Sequence, residues 1–580
     1  MPQLTRPAAA LLLAAGFALC ATARPATAAP LEPAPVHYTL TPRLEGDSLA
    51  ALRVERRFTG DTDGETTLNL PDEWGGESAL YGGIRGLVVT GGALGDDADP
   101  AHRVIRHAPD APLTVTWEVV QEKPGAPRAD GDNPYRPLVQ RGYFHLIGEA
   151  TFVVPAWPDD TPVDFRVAGL PAGWGFASDL EHARPGHPLT LAGLLESITV
   201  GGDFRVITRA HPGGDLRVAI RGAWSFTDDG LADKLDRIVA SHLSFWGDPE
   251  EPFLVTVLPL EADGPSSSLG GTGRSDAFAF FATDNGREAT INRILAHEHL
   301  HTWIPRRLGR MPEKDEAAAY WLSEGFTDFY TFRLLVRDGL WSPRDFLEAA
   351  NEVLMKYAQS GARTAPNATI VADFWSSREA QDLPYQRGFL LAMLWDQRLR
   401  KASHGKRDLD DVLLALHRHY MKIEKRDDAP RVTEAFARAM REAGCDIKDD
   451  LAHYVERGAA VLLPPDLLSP AGRLETMDLP EFDRGFDPLK TAAAGNIVAG
   501  IDSTGPAWAA GLRNGMKILK RESGQPGNAA VEFVYRIDDA GTEKVIHYLP
   551  AGKRTFLTQR MMPGPGGEDD PALRKRLAGE

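Results

Sequence analysis

Two histidines four positions apart, with a glutamate directly after the first, constrain this chain more than any other feature: His297-Glu298-His299-Leu300-His301. On an α-helix, residues i and i+4 share a face, so the spacing predicts a helix over 286–304 that aims both imidazoles at one point. Imidazoles placed in this way can bind one zinc ion, and Glu298 beside them can take a proton from water. Such a site needs a third protein ligand and leaves a fourth position open. The third ligand is read in Trp321-Leu322-Ser323-Glu324-Gly325-Phe326-Thr327-Asp328, on a second helix expected over 315–338. Glu324 has Trp321, Leu322, Phe326 and Phe329 around it, so it is expected to be buried, and a buried carboxylate needs a partner that a metal supplies. Asp328, one turn later, is either a hydrogen-bond partner for a ligand histidine or a solvated acid. His299 points away from the shared face. The expectation is one Zn2+ per chain on His297, His301 and Glu324, making hydroxide available near neutral pH. Cobalt or manganese suits the same donors.

The remaining sequence sets the frame for this site. A length of 580 residues implies about three to five domains. Hydrophobic residues at 43% and charged residues at 25% exclude a disordered or fibrous chain. A formal charge of −17 argues against nucleic acid and against anionic membranes as partners. With only Cys20 and Cys445, a disulfide framework and a multi-cysteine zinc site are both excluded. At the N-terminus, Arg6, the apolar stretch 8–19 and the small-residue sites Ala21-Thr22-Ala23 and Ala26-Thr27-Ala28 read as a signal peptide over 1–29. Leu19, bulky before Cys20, argues against a lipid anchor. The expected location is therefore the periplasm or exterior of a bacterium. No later run is apolar enough to span a membrane.

Alternating runs such as Val36–Leu40, Leu113–Trp117 and Phe204–Ile207 predict an N-terminal β-rich domain over 30–225. In it, 122–137 reads as an exposed Pro/Gly-rich loop and no residue carries a catalytic signature. From 226 the period turns helical, with a helix over 229–246, a strand over 253–260, a glycine-rich turn at 268–273 and a strand over 277–282. A catalytic domain is expected over 226–342 and a helical domain over 343–480, with helices at 343–358, 385–402, 408–423 and 431–443. Short strands and glycine turns return over 481–562, and 563–580 reads as a disordered tail. The overall class is multidomain α+β.

These motifs resemble the gluzincin zinc peptidases, and more closely the glycyl aminopeptidase family. His-Glu-x-x-His-x-Trp followed by a basic cluster is matched by His297 to Trp303 with Arg306-Arg307, and Glu-Gly-Phe-Thr by Glu324 to Thr327. The resemblance implies a thermolysin-like catalytic domain with N-terminal β, helical and C-terminal PDZ domains. It implies peptide or protein substrates and removal of small N-terminal residues such as Gly or Ala. Pro384-Tyr385-Gln386-Arg387-Gly388 stands where related enzymes have Tyr-x-Lys-Gly, which makes Tyr385 the oxyanion donor. Gly270-Gly271-Thr272-Gly273 stands where the family has a Gly-Gly-Leu-Glu edge strand that pairs with substrate. Thr272 and Gly273 replace Leu and Glu, so the carboxylate associated with the substrate amine is missing, and Asp276 is one substitute. Gly505 to Leu519 resembles a bacterial PDZ segment, with capture of a peptide C-terminus and structural packing both open as roles. Besides aminopeptidase, two readings remain: an endopeptidase or oligopeptidase with the same metal chemistry, and a periplasmic PDZ-containing binding protein with an idle zinc site.

Overall fold

In the computed structural model, the described residues are 35–580 apart from 96–98, 130–133, 182–187, 250, 263–267, 275, 287 and 424–427. The signal-peptide reading, Cys20 included, lies outside them. Strict alternation from Val36 to Glu45 puts Val36, Tyr38 and Leu40 on a buried face, as a period of two requires. This strand belongs to a five-stranded sheet ordered Val163–Val167, Val36–Glu45, Ser48–Thr59, Pro112–Val119, Ile84–Thr90. Its apolar face shares a core with a four-stranded sheet that includes Glu65–Asn69 and His102–His107.

A second five-stranded sheet carries the site. Its strands are β1 (Arg205–Arg209), β2 (Leu216–Ile220), β3 (Phe253–Pro259), β4 (Leu269–Gly273) and β5 (Ala277–Ala282), in the order β1-β2-β3-β5-β4. Strands β2, β3 and β5 run parallel, and β4 is an antiparallel edge. Both faces are covered. Helices α1 (Asp228–Trp246) and α2 (Glu288–Leu300) pack on Val218, Val255, Val257, Phe278 and Phe280. On the other face a sheet containing Tyr143–Ile147 and Ile198–Gly202 packs on Leu254, Leu258, Ala279 and Phe281. Two-sided burial explains why β3 and β5 read as unbroken apolar runs.

Next in the chain come α3 (Tyr320–Arg337), α4 (Pro343–Gln359), α5 (Arg378–Ala402), α6 (Leu409–Tyr420) and, at the C-terminus, α7 (Pro571–Ala578). A Ser342/Asp345 capping box starts α4, satisfying backbone N–H groups that have no partner within the helix. A two-stranded ribbon, Gly472–Phe482 with Ala551–Pro563, leads to a small unit with the sheet Lys517–Ser523, Phe533–Asp539, Thr542–Tyr548 and its own core around Val498, Leu512, Phe533 and Ile537. Among the described residues no helix is long and apolar enough to cross a membrane.

Four expectations are corrected. The boundary placed at 225 cuts a sheet, because β1 pairs with β2 and β2 with β3, and neither pairs with the N-terminal strands. The segment 268–273 is edge strand β4 rather than a turn. The helix expected over 385–402 begins at Arg378, where the Ser377 side chain accepts the Ala380 N–H and caps it, so Pro384 lies inside α5. The tail contains α7, whose Leu573, Leu577 and Ala578 are buried and whose Ala578 carbonyl accepts from Arg337 Nε at 2.9 Å.

Candidate metal and active site

Helix α2 ends at Leu300, and His301 follows in a tightened turn with its N–H 3.2 Å from the Glu298 carbonyl. The turn keeps both imidazoles on one side: His297 Nε2 and His301 Nε2 are 3.2 Å apart. Glu324 reaches them from α3, its Oε2 lying 3.3 Å from His297 Nε2 and 3.4 Å from His301 Nε2. The outer nitrogens fix the tautomers. His301 Nδ1 donates to the Ile304 carbonyl at 2.8 Å, and His297 Nδ1 donates to Asp328 Oδ1 at 3.0 Å. Both Nε2 lone pairs and a carboxylate oxygen therefore converge on one point, a donor set that suits zinc. The electrostatics agree. Burial alone would lower the His297 pKa, yet Asp328 and Glu324 raise it to about 10. Burial would raise that of Glu324, but His301 and His297 hold it far below the ordinary carboxylate range. The pocket is built for a positive charge where these donors meet.

Asp328 does more than touch one histidine. Its Oδ2 accepts from Arg293 Nη2 at 2.8 Å, so an arginine one turn before His297 locks the carboxylate that orients the ring. His299 packs on the far side of α2, with its Nδ1 2.8 Å from His242 Nδ1 and its ring against Phe253, which agrees with its exclusion as a ligand.

Tyr385 enters from α5. Its ring stacks on His297 with centroids 6.0 Å apart, and with Glu324 it lines the same cavity. Burial, then the nearby Glu324, Glu298 and Asp328, push its pKa well above the usual phenol value, so it is a neutral hydrogen-bond donor. Edge strand β4 lies alongside. In its register with β5, Gly270 faces Phe281 and Thr272 faces Ala279. The bonds Thr283 N–H to Ser268 O, 2.9 Å, and Arg274 N–H to Ala277 O, 2.7 Å, set the parity: even-numbered residues bond to β5. The backbone groups of Gly271 and Gly273 therefore face the open edge. A side chain at Gly271 would overlap the Phe278 ring, and one at Gly273 would come within 3.4 Å of Glu298 Oε2. At Gly271 the missing Cβ lets the strand lie against Phe278, and Gly273 places the edge beside Glu298. The structure thus brings Glu298, Tyr385, Gly271, Thr272 and Gly273 around the ligand triad, with Gly270 continuing the strand. Asp276 sits near Asp179 and Arg274, at the start of β5.

A cavity of about 660 Å3 opens from Glu324 and Tyr385. Its walls include residues that the sequence did not point to: Arg293, Glu352 on α4, Trp375, and Trp74 and Tyr135 from the N-terminal domain. The region 30–225, in which no catalytic signature is read, nevertheless reaches the site, because Tyr135 donates from its hydroxyl to the Gly271 carbonyl at 3.2 Å. The loop expected to be exposed is pinned by Arg136, bonded to Glu77 at 2.6 Å and Glu122 at 2.5 Å. An aromatic residue among prolines, Pro134-Tyr135-Arg136-Pro137, was the available signal.

Residues 290–388, which carry His297, His301, Glu324 and Tyr385, match the family model of the M61 glycyl aminopeptidase. No curated protein sequence matches the chain. Among solved structures, an aminopeptidase N family protein from Idiomarina loihiensis is similar with a TM-score of 0.66 at 16% identity, over 93% of this chain and 100% of that one. An M1 zinc metallopeptidase from Deinococcus radiodurans gives 0.47 at 16% identity, over 74% of this chain and 94% of that one. The chain has the multidomain α+β fold of the aminopeptidase N type, and the M61 match falls on its site.

Proposed function

We propose that this protein is an exported zinc aminopeptidase that removes small N-terminal residues, Gly or Ala, from peptides. The observation that carries the proposal is the convergence of His297 Nε2, His301 Nε2 and Glu324 Oε2 beside Glu298 and Tyr385. Zinc held by those three residues would supply Lewis acidity towards a carbonyl and acidify water. Glu298 takes the proton from the attacking water and delivers it to the departing amine. Tyr385, kept neutral, donates to the oxyanion that develops at the scissile carbonyl. Gly271 and Gly273 offer backbone N–H groups that align the substrate chain. The Gly/Ala preference rests on the family that the site matches, and export rests on the sequence of 1–29. The unit around 481–562 is read as PDZ-like from Gly505 to Leu519, a place for a peptide C-terminus.

Lack of a carboxylate at Thr272-Gly273 favours a second reading, an endopeptidase or oligopeptidase with the same chemistry. Hydrolysis of free-amino and N-blocked peptides, with and without chelator and beside Glu298→Ala, tests both. Chelator-sensitive cleavage of free Gly- or Ala-peptides alone supports the aminopeptidase. Cleavage of blocked peptides supports the second reading. No cleavage with zinc bound points to a PDZ-containing binding protein with an idle zinc site.

A further inference from the structure

Residues of the N-terminal domain stand at both the edge of β4 and the mouth of the cavity. Of the three backbone carbonyls that β4 turns outward, those of Leu269, Gly271 and Gly273, Gly271 O accepts from the Tyr135 hydroxyl at 3.2 Å and Gly273 O from Arg306 Nη2 at 3.3 Å. An extended peptide adding to this edge as a strand needs those carbonyls for its own N–H groups. The Tyr135 ring stands on the path such a strand would follow. Above it is a tight turn in which Trp74 and Glu77 bridge, with Gly75 and Gly76 at its tip at φ 60° and 81°, a left-handed conformation that glycine adopts without penalty. The tip lies between two aromatic side chains. A Cβ on Gly75 would be 3.6 Å from the Tyr135 ring and one on Gly76 3.9 Å from Trp375. Trp74 packs edge-on against Tyr135 with centroids 5.7 Å apart. Trp375, 73% exposed, reaches the turn from the segment before α5 and belongs to the opposite wall.

We infer that the turn 74–77, Tyr135 and Trp375 form a roof over the cleft, and that this roof restricts the enzyme to short peptides. This rests on the peptidase reading above and deepens it. Neither the edge strand, with Gly271 O and Gly273 O already bonded, nor a cavity of about 660 Å3, within the usual range of small-ligand pockets, accommodates a long extended chain. The preferred substrates are the oligopeptides left by earlier endoproteolysis, rather than intact proteins.

The test uses the full-length zinc-loaded protein and alanine oligomers with free ends, from trialanine to octaalanine, comparing kcat/KM for the wild type, Tyr135→Ala and Trp375→Ala. The wild type is expected to lose about tenfold between the shortest and longest oligomer, and each variant to flatten that fall to about threefold or less. Wild-type cleavage of octaalanine as fast as trialanine, or an unchanged fall in both folded variants, overturns the inference and leaves the peptidase reading intact. No cleavage of trialanine itself overturns both. Calorimetric binding of the same oligomers to Glu298→Gln supplies a readout independent of turnover: the inference requires octaalanine to bind more weakly than trialanine, and equal affinities overturn it.

Discussion

Gly325 and Gly388 bring α3 and α5 into backbone contact. A Cβ on Gly388 would overlap the Trp321 carbonyl oxygen, and one on Gly325 would overlap the Gly388 Cα. The crossing is therefore closer than any side chain permits, and it lies directly beside Glu324 and three residues from Tyr385. Gly388→Ala should force the helices apart. Overpacking of this kind costs about 1–3 kcal/mol, and here it also moves the oxyanion donor. Urea unfolding should show the loss, and kcat should fall with it. A protein with Gly388→Ala and unaltered stability would contradict the reading.

Asp328 shares its carboxylate between His297 Nδ1 and Arg293. Removing such an orienting partner typically costs about 10–100-fold in metal affinity. Asp328→Asn should weaken zinc binding by that factor in competition with a chromogenic chelator. Arg293→Lys keeps the charge but not the planar fork and should lie between wild type and Asp328→Asn. Equal zinc affinity in all three proteins would show that Asp328 has no part in holding the ring.

Much of this site was legible in the sequence because helical spacing is local. His297, Glu298 and His301 announce their common side through the i, i+4 interval, and Glu324 announces burial through its apolar flanks. The strand 277–282 is readable because both of its faces are buried. What stayed hidden is non-local. Whether 205–220 pairs with the N-terminal strands or with β3 depends on partners distant in sequence, which alternation does not specify. Tyr135 reaches Gly271 across 136 positions from a segment whose prolines and glycines hide its role. Pro384 read as a helix start, though Ser377 caps α5 earlier. Charge in the final segment concealed the Leu573 and Leu577 pair that α7 buries against the domain.

Tyr385→Phe removes one hydroxyl and leaves the ring stacked on His297. If that hydroxyl stabilises charge that develops only in the transition state, kcat should fall about a hundredfold or more while KM changes little. Zinc content should be unchanged, because the phenol is not one of the three converging donors. A rise in KM with kcat preserved would instead make Tyr385 a binding residue.

The carboxylate of Asp248 ties three elements together just past α1. It accepts from Trp303 Nε1 and Arg307 Nη1, each at 2.7 Å, and from His417 Nε2 on α6 at 2.7 Å. Burial alone would raise its pKa, but the hydrogen bonds from His417 and Trp303 and the charge of Arg307 hold it down to about 2, below the ordinary 3.8. A carboxyl depressed in the folded state stabilises the protein above the unfolded pKa, and that stability is lost as pH falls through the folded value. The window therefore runs from about pH 4 down to about pH 2. Asp248→Asn should be less stable than wild type by about 2 kcal/mol at pH 6. The gap should narrow steadily through that window, because the wild-type carboxylate is then being protonated. Urea titrations of both proteins at pH 6, 4 and 3 measure it, and a gap that stays constant with pH would mean that the ionised carboxylate does not hold the segment after His301 in place.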